Sequence, residues 1–158
     1  MTTPASRSID DVLARTEAVI GLSDSALSRD AVAIAGELLV MGEAVLEAWL
    51  TARDTEPTGE KSEGFRLLAL HRQGARGNPS FNACRETCRE IAYYYNLITL
   101  EPEHAEITHR ALLMQMVSTH LHLFISGKLE VAGLGDFCCS AKPVRLGSED
   151  PSSIRKEA

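Results

Sequence analysis

The chain has 158 residues, 44% of them hydrophobic and 24% charged, the profile of one ordinary globular domain and not of a wholly disordered chain. Gly 11 and Pro 6 exclude a collagen-like or linker protein. The net charge of −6 and a pI near 5.4 work against general attraction to nucleic acid or anionic lipid.

Residues 1–7 carry no helical pattern. Ser8 can cap a short helix through about Ile20, with Asp10 and Asp11 at its positive end, and Gly21 breaks it. Ser23 and Asp24 open a long helix to about Arg53, with a stripe of Leu27, Ala31, Ile34, Leu38, Met41, Val45 and Trp49 at helical spacing. Gly36 and Gly42 lie close to that stripe. Each lowers helix stability by about 1 kcal/mol relative to Ala, so close packing of another helix is the expected reason for both. After a Pro57/Gly59 loop, Ser62 is the expected cap of a third helix that stops at Gly74–Gly77.

Asn78-Pro79 reads as a cap followed by proline in the first turn of a fourth helix running to about Leu100. Its inward stripe is Phe81, Cys84, Cys88, Ile91, Tyr95 and Ile98. Pro102 suits the first turn of a fifth helix, 102–126, ending at Gly127. That helix carries Ile107, Ala111, Met114, Ser118, Leu121 and Ile125 on one face and Leu112, Met116 and Leu123 roughly opposite. A helix apolar on two sides is central in a bundle or shared with a second subunit. Lys128–Phe137 reads as a short strand or irregular piece, and residues 141–158 as a loose tail. The expected architecture is thus an all-α bundle of four to five helices over 1–140, with a homodimer or larger assembly using the second face.

The first residues lack the basic-then-apolar order of a secretory signal, and the most apolar window, Ala31–Leu50, contains Glu37, Glu43 and Glu47. The expected compartment is therefore the cytoplasm, without membrane attachment, where the four cysteines are thiols, ligands or core residues in preference to structural disulfides. Arg66, Arg72, Arg76, Arg85 and Arg89 make a basic island in an otherwise acidic chain, read first as a solvated face. Glu101/His104 and Glu106/His109 have the Glu-x-x-His spacing of di-iron bundles, but His109 lies about 200° around the helix from Ile107. Glu43, Glu47, Glu86 and Glu90, the carboxylates two further helices would have to supply, have ordinary surface spacings. Solvated polar residues at a helix start are the better reading.

One constellation remains. Cys84 and Cys88 lie one helical turn apart on an inward face. An antiparallel hairpin of the fourth and fifth helices about Glu101 sets position 84 level with Ser118 and position 88 with Met114, with His120 and His122 one turn further out. His122 lies about 60° from the Ile107 direction and is preferred over His120, which points away. Cys138 and Cys139 can return to that end after Gly127, and His71 and Arg72 lie nearby. Cys84, Cys88, His122, Cys138 and Cys139 are therefore the candidate metal set, with zinc as the borderline metal suited to thiolate and imidazole. None of their spacings matches a zinc signature, so separate core cysteines are the default. The expected function is a non-enzymatic helical interaction or regulatory module, with a thiol- or metal-dependent sensor or enzyme as the alternative.

Overall fold

A computed structural model describes residues 9–131 apart from Gly77. The chain is all-α: α1 (Ile9–Ile20), α2 (Asp24–Arg29), α3 (Ala31–Ala52), α4 (Arg66–Ala75), a 3-10 turn (Pro79–Cys84), α5 (Arg85–Leu100) and α6 (Ile107–Glu130). The described residues form no named strand. Lys128–Glu130 of the expected strand-like piece continue α6 through Gly127; the rest of that piece, Cys138, Cys139 and the tail lie outside the described residues.

The bundle is built around α6, which packs on α1, α2, α3 and α5, while α3 also receives α4 and α5. The two-sided apolar pattern of α6 has this central place as its main cause. Ile107, Ala111, Met114, Leu121 and Ile125 are buried, and Leu112 is half-buried, whereas Met116 and Leu123 remain 61% and 57% exposed. Trp49, Phe81 and Phe124 close one end of the core. No helix among the described residues is long and apolar enough to cross a membrane.

Besides the extension of α6 past Gly127, several boundaries differ from those read in the sequence. At the start of the expected fourth helix, Pro79–Cys84 form a 3-10 turn without a side-chain cap from Asn78, and α5 begins only at Arg85. The long helix expected from Ser23 divides at Asp30, whose φ of −108° and ψ of 18° end α2 and start α3. The short segment Asp24–Arg29 is rich in Ser and Asp, which compete with helical backbone bonds. Ser23 does cap α2, accepting from the Ala26 amide. Ser62 does not cap a helix. It pairs with Phe65 across a tight turn in which Glu63 and Gly64 both have positive φ, 54° and 85°, so α4 begins only at Arg66. Finally, α6 begins at Ile107 and not at Pro102. The amides of His104 and Ile107 bond back to Glu101 and His104 in successive turns, and the Glu106 amide donates to His104 Nδ1.

The later start of α6 shifts the α5–α6 register. Thr87 Oγ1 lies 3.2 Å from His120 Nδ1, and Lys128 Nζ donates to Ser80 Oγ at 2.6 Å. Cys84 is therefore level with the last turns of α6 and not with Ser118, and His120 meets α5 instead of turning away from it.

Candidate functional site

The 3-10 turn after Asn78 carries Phe81 and Cys84 inward, and α5 continues the same face with Cys88. Both cysteines are free and fully buried. Cys84 is the residue at which the 3-10 turn passes into α5. His71, near the end of α4, is also buried. Its Nε2 lies 2.8 Å from the Phe81 carbonyl. A carbonyl only accepts, so Nε2 carries a proton. The Cys84 thiol also reaches that carbonyl, at 3.4 Å.

These neighbours set the protonation of the pair. A hydrogen bond from Cys88 is the largest influence on Cys84, and the His71 ring adds to it; together they outweigh burial and hold Cys84 below the ordinary thiol range. The Cys88 thiol moves the opposite way, because it donates to Cys84, is itself buried, and would face a second negative charge if ionised. For His71, burial alone would lower the ring, but Cys84 and the Phe81 carbonyl overcome it and the balance is upward. The arrangement favours a thiolate at Cys84 and the protonated form of the His71 ring, beside a Cys88 thiol whose ionisation is disfavoured. This is the arrangement of an activated nucleophilic sulfur with a second sulfur in reach.

His122 is not part of this group, which corrects the sequence reading. It faces α1, where its Nδ1 lies 2.9 Å from Thr16 Oγ1. The Thr16 hydroxyl proton goes to the Val12 carbonyl at 2.8 Å, so Thr16 accepts from Nδ1–H and leaves the neutral ring with a bare Nε2. That nitrogen and Ser118 Oγ are buried without a hydrogen-bond partner. Burial lowers His122 to about 4. The physical reason for the misplacement is the central position of α6: a residue at the edge of its inward face can serve α1 as readily as α5. Among the described residues, no group of three or more His, Cys, Asp or Glu side chains is placed to hold a metal ion, and Cys138 and Cys139 lie outside them.

The Glu-x-x-His residues are engaged elsewhere: Glu101 takes a 2.9 Å ion pair from Arg110, which together with His104 lowers its carboxyl. Of the basic island, Arg66 pairs with Glu43 and Glu47 of α3 and Arg89 with Glu63, while Arg72 donates to Ser62 Oγ. Two contributors escaped sequence reasoning. His71 was seen only as a neighbour, because nothing in the spacing between residues 71 and 84 shows the loop returning α4 onto the 3-10 turn. Lys128 stands in the sequence reading at the start of a short strand or irregular piece. It is 3% exposed, with Nζ 4.9 Å from the centre of the Trp49 ring, 5.5 Å from Phe81 and 5.8 Å from Phe124.

Comparison with known protein families, curated proteins and solved structures finds no match to this chain.

Proposed function

We propose that this chain is a thiol-based redox module in which Cys84 is oxidised and Cys88 resolves it. The observation that carries the reading is the convergence of His71, Cys84 and Cys88 at the start of α5, with Cys84 held toward the thiolate. Full burial of both sulfurs restricts the oxidant to a small hydroperoxide, hydrogen peroxide above all. The Cys84 thiolate attacks one peroxide oxygen, an S–O bond forms and the O–O bond breaks. The leaving oxygen takes a proton from the His71 imidazolium and departs as water, leaving Cys84 as a sulfenic acid. Cys88 then attacks the Cys84 sulfur. The S–S bond forms, S–O breaks, and the departing hydroxide takes the Cys88 proton as a second water. The cysteines lose two electrons in all and the peroxide gains them. A thiol reductant reverses the change.

The test is peptide mapping after treatment of the full reduced chain with hydrogen peroxide. Trypsin places Cys84 in residues 77–85 and Cys88 in 86–89, so an intramolecular bond appears as a linked pair of these peptides. The expected result is that linked pair in the native chain, a trapped sulfenic acid at Cys84 in Cys88→Ser, and neither in Cys84→Ser. Oxidation confined to Cys138 and Cys139 overturns the reading, and zinc bound at one equivalent in the purified protein favours a metal site instead.

A second reading, a helical interaction module that self-associates, is supported by Met116 and Leu123, large apolar side chains one heptad apart on one face of α6 and both more than half exposed. Free thiols in both readings suit a reducing, cytoplasmic setting.

A further inference from the structure

The thiol pair shares its 3-10 turn with the contacts that hold the end of α6. Phe81 is the common piece. Its carbonyl accepts from His71 and lies 3.4 Å from the Cys84 sulfur. Its ring packs on Trp49 at 5.5 Å, on His71 at 5.8 Å and on Phe124 at 5.9 Å between centres. The Lys128 ammonium rests against Phe81, Trp49 and Phe124, and donates to Ser80 Oγ, which donates in turn to Asn78 Oδ1 at 2.8 Å. Residues 78–84 thus touch the thiols with one end and Lys128 with the other.

This segment has no slack toward α4. A methyl group on Gly74 would stand 2.6 Å from the Phe81 ring, so ring and helix are already in contact. Cys84 lies where the 3-10 turn passes into α5, with φ −105° and ψ 13°, off the regular helical values. Cys88 is inside α5, with Thr87 and Ile91 buried beside it. A covalent bond draws two sulfurs closer than a hydrogen bond does, and the junction at Cys84 is the softer of the two ends. Formation of the disulfide also removes the negative charge at Cys84 that faces His71.

We propose that the oxidation state of the Cys84–Cys88 pair is transmitted through residues 78–84 to Lys128, so that reduction seats the last turn of α6 on the Trp49–Phe81–Phe124 cluster and oxidation releases it. The inference rests on the thiol reading and adds its output, a change in how the end of α6 is held.

Two probes already in the chain read this out. Trp49 is the single tryptophan, and the Lys128–Leu129 bond is a trypsin site whose lysine is buried. The full chain is compared reduced and after hydrogen peroxide, by brief trypsin digestion followed by mass analysis and by Trp49 emission. Cleavage after Lys128, taken relative to the exposed Lys61, is expected to accelerate by on the order of tenfold on oxidation, as cutting follows local opening. Trp49 emission is expected to shift to the red, and dithiothreitol to reverse both changes. Cys88→Ala treated in the same way is expected to show neither; if that variant folds poorly, reversal by dithiothreitol in the native chain serves as the control. A linked 77–85/86–89 pair with unchanged cleavage and emission overturns the relay and leaves the thiol reading standing. Absence of the linked pair overturns both.

Discussion

His122 and His71 are both buried histidines, yet their surroundings move them in opposite directions. His71 has Cys84 and the Phe81 carbonyl to favour its charge, while His122 has only burial, which lowers it to about 4. An unfolded histidine titrates near about 6.5. The folded value of His122 lies below that, so as pH falls the unfolded chain takes up the proton first. The contribution is whole above about pH 6.5, is lost progressively between there and about 4, and is at most about 3 kcal/mol. Urea unfolding at pH 7 and at pH 4.5 is expected to show a larger stability loss for the native chain than for His122→Leu. Equal losses would remove His122 from the acid response. For Cys84 the expectation is a reactivity that persists below the ordinary thiol range and retreats upward in His71→Phe, read as the pH profile of labelling by a small disulfide reagent.

At the scale of the helix, glycines separate close packing from mere tolerance. Gly36 and Gly42 stand near one stripe of α3, and the sequence offers the same reason for both. Only Gly42 meets it: a methyl there would come within 3.1 Å of Leu67 and 3.6 Å of Leu121, whereas at Gly36 nothing lies within 4 Å. Gly74 is tighter still, against the Phe81 ring. Gly36→Ala is therefore expected to stabilise the protein by about 0.5–1 kcal/mol through helix propensity. Gly74→Ala, the same change in another helix, is expected to destabilise it by roughly 1–3 kcal/mol because a buried ring must move. Thermal unfolding of the two variants measures both. A gain in stability at Gly74 would contradict the close approach and weaken the coupling argued for Phe81. The boundaries of α4 and α6 carry the same lesson. Ser62 and Pro102 are chemically good helix starters, but a positive-φ turn at Glu63–Gly64 and the turns at 101–106 claim them first.

For the molecule as a whole, the central place of α6 accounts for most of its apolar surface but not for Met116 and Leu123. If these form a self-association face, light scattering after gel filtration is expected to give a mass above 17.2 kDa, and Met116→Ser with Leu123→Ser to return it to that value without loss of helix by circular dichroism. A monomer in the native chain at high micromolar concentration removes the self-association reading while leaving the thiol chemistry untouched.

Helical class, the stripes of α3 and α5, the inward pairing of Cys84 with Cys88 and the central role of the last helix were all legible in the sequence, because they depend on 3.6-residue periodicity and on proline and glycine punctuation. Those are local properties of the chain. The sequence also supplied the idea that chemistry, if present, gathers at the start of α5. Which histidine joins the thiols was decided by the tertiary structure. His122 lies on the edge of a helix packed on several sides, and periodicity gives its angle without saying which neighbour occupies that angle. His71 reaches Cys84 through a non-helical connection whose path depends on Gly74 meeting Phe81. Lys128, polar and next to a glycine, resembles a surface residue until Trp49 from α3 and Phe124 from α6 are brought around it. A contact between residues far apart in the chain depends on how whole helices pack, and that packing is set by the volume and shape of side chains from every helix at once.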